Sequence, residues 1–353
     1  MCYARLPVIL RLVAASLIAA SVVLGWLSWG RRDRVASTPP LHTDGNRIRL
    51  PDGTAWMGRG VNLFDTRSCG ACQDSDETLR EAKRRIDEAV DVWGASFVRL
   101  CLQSEASGES PVEDDAYVAR VTDLVAHVGT KRGVYVLVSL WRDPSFAANG
   151  WPTEDTARVW TRLAEALYGQ EHALYGISNE PRYNLDGRQD REVWRRMNDT
   201  VAAIRNVETS LGGRHHVVVV QGTRDYGRRL DFYVEHPIEA GGGVNIAYET
   251  HPYSAASELD RLIVTPSQHL PVLIGEFGPN DFGSRDFHMT YEDARAVIEV
   301  AERERIPYAA FSFHMRCPPN LLVDHSDADC GVDMPLEPTA VWGEMLRDAL
   351  RRH

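Results

Sequence analysis

Two carboxylates close two short apolar runs. Glu180 ends Ala173-Leu-Tyr-Gly-Ile-Ser-Asn179, and Glu276 ends Pro271-Val-Leu-Ile-Gly275. Each run has the uncharged, strand-like composition of a β-strand buried on both faces. A parallel barrel builds its active site at the carboxyl ends of its strands, so the two carboxylates would meet at one mouth. Such a pair is the minimum equipment for breaking a glycosidic bond. One protonated carboxyl assists the departing oxygen, and one ionised carboxylate attacks the sugar carbon from the opposite face.

The elements that must position this pair follow an alternating pattern. Strand candidates are 59–64, 96–102, 134–141, 173–179, 216–221, 245–250, 272–275 and 308–313. Helical periodicity fills 77–92, 115–130, 154–167, 192–207, 291–303 and 339–350, with less distinct segments after the fifth and sixth strands. Apolar strands alternating with amphipathic helices imply a parallel sheet covered by helices, and eight units predict closure into an α/β (β/α)8 TIM barrel. Asp52-Gly53 reads as a hairpin turn, in an N-terminal hairpin closing the bottom of the barrel. Other polar and aromatic groups gather at the same strand ends: Arg99, Asn179, His251, Tyr253 and His314, with Asn62 near the mouth and Trp141 after strand three. Arg99 would keep a neighbouring carboxylate ionised, and Tyr253 would hydrogen-bond it.

In these motifs the chain resembles glycoside hydrolase family 5, the cellulase family, from about Asn46 to the last helix. Asn179-Glu180-Pro181 is similar to the family's strand-four signature, which implies that Glu180 is the acid/base and Asn179 holds a sugar hydroxyl. Ile274-Gly275-Glu276-Phe277-Gly278 is similar to the strand-seven signature and implies that Glu276 is the nucleophile. Phe97-Val98-Arg99-Leu100 and His251-Pro252-Tyr253 resemble the strand-two arginine and the strand-six His-x-Tyr. Two positions depart from the family. Ser139 and Trp141 stand where strand three usually carries Asp-x-His, and Phe311 stands where strand eight usually offers a tryptophan platform.

Composition narrows the partners. With a formal charge of −11 and no basic face or run in the body of the chain, nothing points to a nucleic-acid partner, and none is expected. The motif set calls for no cofactor and no metal, and Cys69-x-x-Cys72 lacks the second half of a zinc site. Residues 12–29 carry no charge across 18 positions and read as a signal-anchor or a signal peptide within residues 1–34. A linker over 35–45 and a catalytic domain over 46–353 follow. Placement is therefore extracytoplasmic, membrane-anchored or secreted. In that setting Cys317 and Cys330 are expected to pair, with a second disulfide among Cys69, Cys72 and Cys101.

The expected activity is retaining hydrolysis of a β-linked oligo- or polysaccharide, endo-acting on a glucan or mannan. Alternatives of the same chemistry are chain-end trimming, action on β-1,3-glucan, or cleavage of a glycolipid at the membrane. An inactive, membrane-tethered carbohydrate-binding protein is the alternative of another class.

Overall fold

The computed structural model describes residues 38–70, 72–104, 114–281, 288–325 and 330–352. The apolar stretch 12–29 lies outside the described residues. No helix among those described is long and apolar enough to cross a membrane.

The chain enters through two short antiparallel strands, β1 (His42–Asp44) and β2 (Arg47–Arg49). The tight turn joining them holds Gly45 at a φ of +57°, where a side chain would be strained. Asp52-Gly53 does turn the chain, bringing Ala55 back against Arg49, so it makes the second bend of a three-run meander. Strand β1 falls inside the segment the sequence reads as linker, and the compact unit begins at Thr38. Trp56, at the end of this meander, packs edge-on against Phe97 and Tyr135 at 5.2 and 5.3 Å. The meander therefore plugs the bottom of the barrel with apolar side chains.

The barrel strands are β3 (Arg59–Phe64), β4 (Phe97–Gln103), β5 (Tyr135–Arg142), β6 (Ala173–Gly176), β7 (Val218–Gln221), β8 (Ile246–Thr250) and β9 (Val272–Ile274). After a two-residue ladder of β10 (Asn280–Asp281) and β11 (His288–Met289), β12 (Tyr308–Ala310) completes the ring. All eight barrel strands are parallel, and β12 pairs with both β3 and β9, so the barrel has no open edge. The long crossover helices are α1 (Asp76–Asp87), α2 (Asp115–Gly129), α3 (Glu154–Leu167), α4 (Asp190–Leu211) and α5 (Tyr291–Glu304), followed by α6 (Trp342–Arg351). Local chemistry starts them: Ser75 and Thr78, and Thr153 and Thr156, form reciprocal capping boxes at α1 and α3. The crossovers after β7 and β8 contain only short helical turns, which matches their weak periodicity.

Successive strand residues point to opposite faces, which divides the molecule into two apolar regions. Val98, Leu100 and Leu102 point outward into the helix layer, as do Ile246 and Tyr248. Phe97, Tyr135, Leu137, Val219, Ala247 and Leu273 point inward and fill the lower barrel. One step further along the same inner faces stand Asn62, Arg99, Ser139, Gln221 and Glu249, each fully buried. The interior thus changes from apolar to polar halfway up, beneath the mouth.

Strands β6 and β12 are shorter than the sequence suggests, since both chains leave the ladder to present residues to the mouth. The cysteine pairing also differs from expectation. Cys69 pairs with Cys317 and Cys72 with Cys330, while Cys101 is a buried free thiol. Cys317 and Cys330 are near in sequence, but each faces the β3–α1 loop rather than the other. The two bonds tie that loop to the segment after β12.

Candidate active site

Glu180 and Glu276 converge at the mouth, as their positions after β6 and β9 require. An oxygen of each, with a ring nitrogen of His251, falls in a group whose members all lie within 4.8 Å of one another. Their surroundings differ. Glu276 is almost sealed, with 5% of its side chain exposed, whereas Glu180 keeps 26%.

Glu276 is held from two sides. Arg99 donates from Nη1 to its Oε1 at 2.6 Å, and the Tyr253 hydroxyl donates to its Oε2 at 3.2 Å. Burial pushes the Glu276 carboxyl above its usual pKa. The His251 and Arg99 charges pull it back, and those of Glu180 and Glu249 push it further up. Burial, and then the Glu276 charge, lifts the Tyr253 phenol far above its ordinary range, so Tyr253 stays a donor.

Arg99 is the hub. Its Nη1 also donates to Asn62 Oδ1 at 2.8 Å, its Nη2 to Asn179 Oδ1 at 2.9 Å, and its Nε lies 2.8 Å from Glu249 Oε1. Asn62 in turn donates to the carbonyls of Gly275 and Ala309, tying β3 to its neighbours across the barrel. Arginine suits this position because its planar fork serves several acceptors and stays charged when buried.

Glu180 is held differently. Its backbone sits at a φ of +49°, in the left-handed region that a non-glycine residue adopts at a cost of about 1–3 kcal/mol. Its N–H donates to Gln221 Oε1 at 2.6 Å, which stabilises that conformation. Its Oε1 lies 3.0 Å from His251 Nδ1. The His251 ring is buried, which alone would lower its pKa. The charge of Glu276 and hydrogen bonds with Glu180 and Glu249 overcome this and push it up to about 9. Glu180, His251 and Glu276 are close enough to surround a cation. A ligating histidine must be neutral, however, and the carboxylates here favour the imidazolium.

Two cavities of about 500 Å3 each meet at Glu180, Trp141 and Arg142. One contains Glu276, Tyr253, Phe311, Tyr226 and the Cys69–Cys317 bridge. The other contains Asn179, Arg182 and Phe146. Trp141 and Phe311 lie 6.2 Å apart, with their rings tilted by 32°, and both border the first cavity. His314 is turned away from this site: it is 2% exposed, with its ring nitrogens on Ser68 Oγ and the Arg316 N–H. Burial, then the Arg85 and Arg316 charges, push its pKa down to about 3. Sequence reasoning missed Glu249, Gln221 and Tyr226. The first two carry a signal, as polar residues on inward positions of otherwise apolar strands.

A closed eight-stranded parallel barrel with paired carboxylates at its carboxyl end defines a (β/α)8 glycoside hydrolase. The profile of the cellulase family (glycosyl hydrolase family 5) matches residues 57–316, and the chain belongs to that family. A mannan endo-1,4-β-mannosidase of Cellvibrio japonicus (strain Ueda107) is 22% identical over 292 residues, covering 79% of this chain. The chain spans 60% of that curated relative's length. A β-glucanase from Saccharophagus degradans, solved with cellotetraose, superposes with a TM-score of 0.68 at 16% identity, covering 89% of this chain and 94% of that one. An endoglucanase catalytic domain from Thermobifida fusca, also with cellotetraose, gives a TM-score of 0.68 at 18% identity, covering 88% and 97%. A β-mannanase from Streptomyces thermolilacinus gives 0.60 at 20% identity, covering 89% and 97%. These structural likenesses are to the fold.

Proposed function

We propose that this enzyme is a retaining, endo-acting β-glycosidase of β-linked glucan or mannan, with Glu276 as nucleophile and Glu180 as acid/base. The observation that carries the reading is the short span between the two carboxyl groups, with an oxygen of each within 4.8 Å. Retaining enzymes hold their carboxyl groups about 5–5.5 Å apart, while inverting enzymes leave about 6.5–9.5 Å for a water. Roles follow from surroundings. Glu276 receives hydrogen bonds from Arg99 and Tyr253, which favour the ionised form needed for attack. Glu180 is more open and next to His251, where it can give a proton to the departing oxygen and later take one from water. Asn179, anchored by Arg99, faces a hydroxyl of the sugar between them.

Endo action is supported by space on both sides of the pair, since each cavity accommodates part of a chain. Trp141 and Phe311 provide apolar ring faces for sugar on the Glu276 side. Two disulfides fit an oxidising compartment, so the enzyme works outside the cytoplasm, released or held by its amino-terminal segment. Digestion of long β-mannan and β-glucan chains, with product lengths resolved, tests this. Early mixtures of internal fragments are expected; release of single sugars alone would overturn the endo assignment.

A further inference from the structure

Glu249 has no part in the double displacement, yet it is fully buried beneath both carboxylates that perform it. It lies on the inner face of β8, two residues before His251. Its Oε1 is 2.8 Å from Arg99 Nε and 3.0 Å from His251 Nε2. The slot it occupies exists because residue 275 is glycine. A Cβ there would fall 1.6 Å from Glu249 Oε1.

The carboxylates on either side of the ring decide where the His251 protons reside. Gln221 accepts from the Glu180 N–H through Oε1, so its amide nitrogen is the atom 3.0 Å from His251 Nε2. An amide NH2 cannot accept a proton from the ring. Glu249, held ionised by Arg99, can. A bare Nε2 would accept from the Gln221 NH2 but would set its lone pair against the carboxylate; the full charge of Glu249 outweighs the neutral amide, so Nε2 carries hydrogen and donates to Glu249. On the far side of the ring, Nδ1 faces Glu180 Oε1 at 3.0 Å and Glu276 Oε2 at 3.8 Å.

We infer that Glu249 is a positioning residue: it keeps His251 a cation, with Nδ1–H aimed at Glu180. The inference rests on the roles proposed above for Glu180 and Glu276. Among the described residues, the charges facing the ring are Glu249 from its own strand, Glu180 after β6 and Glu276 after β9. Arg99 of β4 contacts both Glu249 and Glu276. Burial opposes ionisation of Glu249, but Arg99 and then His251 outweigh it and hold the carboxyl below its usual range. The His251 charge also weighs more on Glu276 than the Glu249 charge does.

The test is the pH profile of kcat/KM for the full chain against Glu249→Gln. With the imidazolium less favoured, Glu276 loses a facing cation and holds its proton to higher pH. The acid limb of the bell is expected to move up by about one pH unit. A kcat lowered equally at every pH, with the bell unmoved, would show a merely structural Glu249 and overturn the inference. So would an unchanged profile. A second measurement needs neither turnover nor the variant. In histidine-labelled parent protein, with the His251 signal assigned by its loss in His251→Gln, both ring nitrogens are expected to remain protonated at about pH 8, above the ordinary histidine range. A neutral ring at pH 7 overturns the inference while leaving the glycosidase assignment untouched.

Discussion

Arg99 donates to Glu276 at 2.6 Å with both side chains buried. A buried ion pair is costly to break, because the surviving charge is stranded. Arg99→Met would leave Glu276 and Glu249 without their shared cation. The expected loss is about 3–5 kcal/mol of unfolding free energy, read from urea denaturation. Arg99→Lys keeps the charge but cannot serve Glu249, Glu276, Asn62 and Asn179 together. It should fold and lose activity, with kcat falling more than KM rises.

Glu180→Ala separates proton donation from attack. On a natural glycan, whose leaving oxygen needs a proton, kcat/KM should fall by about 10²–10⁴. On an aryl glycoside with a good leaving group, Glu276 can still be glycosylated unaided, so a burst of phenol should precede slow turnover. Stopped-flow absorbance checks this. An equal loss on both substrates would argue against the acid/base role.

The legible part of this site lay where chemistry and strand ends coincide. Glu180, Glu276, Arg99, His251 and Tyr253 stand beside or within largely apolar runs, and the barrel's polarity brings such positions to one mouth. Glu249 and Gln221 were harder to find. Inside a buried strand they look like interruptions of an apolar pattern, and only the register of eight neighbours shows that they share a layer with Arg99. His314 satisfies the strand-end rule, but the chain after β12 turns its ring toward Ser68. Disulfide partners were illegible for a related reason. The Cys69–Cys317 separation of 248 residues is bridged by barrel closure, which nearness in sequence cannot show.

Protonation has two consequences of opposite sign. Glu276 must be ionised to attack, and its pKa is raised by burial, so the acid limb of kcat/KM should lie above pH 4.5, the ordinary value for glutamate. For stability, the folded pKa of His251 exceeds its unfolded value of 6.5. Its contribution is therefore fully present below pH 6.5 and is lost as pH rises through about 9. Unfolding midpoints measured from pH 6 to 10 should decline across that window, and the decline should be smaller in His251→Gln.

The bridges Cys69–Cys317 and Cys72–Cys330 join the β3–α1 loop to the segment that carries Pro318 into the cleft. Reduction should lower stability by about 2–4 kcal/mol for the pair, less than two independent long loops would give, because the closed loops overlap. Since Cys69 and Cys317 border the Glu276 cavity, KM for an oligosaccharide should also rise. Calorimetry and initial rates, each with and without a thiol reductant, report the two effects.

The arrangement of Glu180 and Glu276 makes its most direct commitment in the stereochemistry of the first product. Hydrolysis of a β-linked oligosaccharide can be followed by proton NMR within the first minutes, before the new reducing end mutarotates. Attack by Glu276 followed by water inverts the anomeric carbon twice, so the β-anomer should appear first and the α-anomer only later. Appearance of the α-anomer first would mean that water attacks directly, and the nucleophile assigned to Glu276 would be wrong.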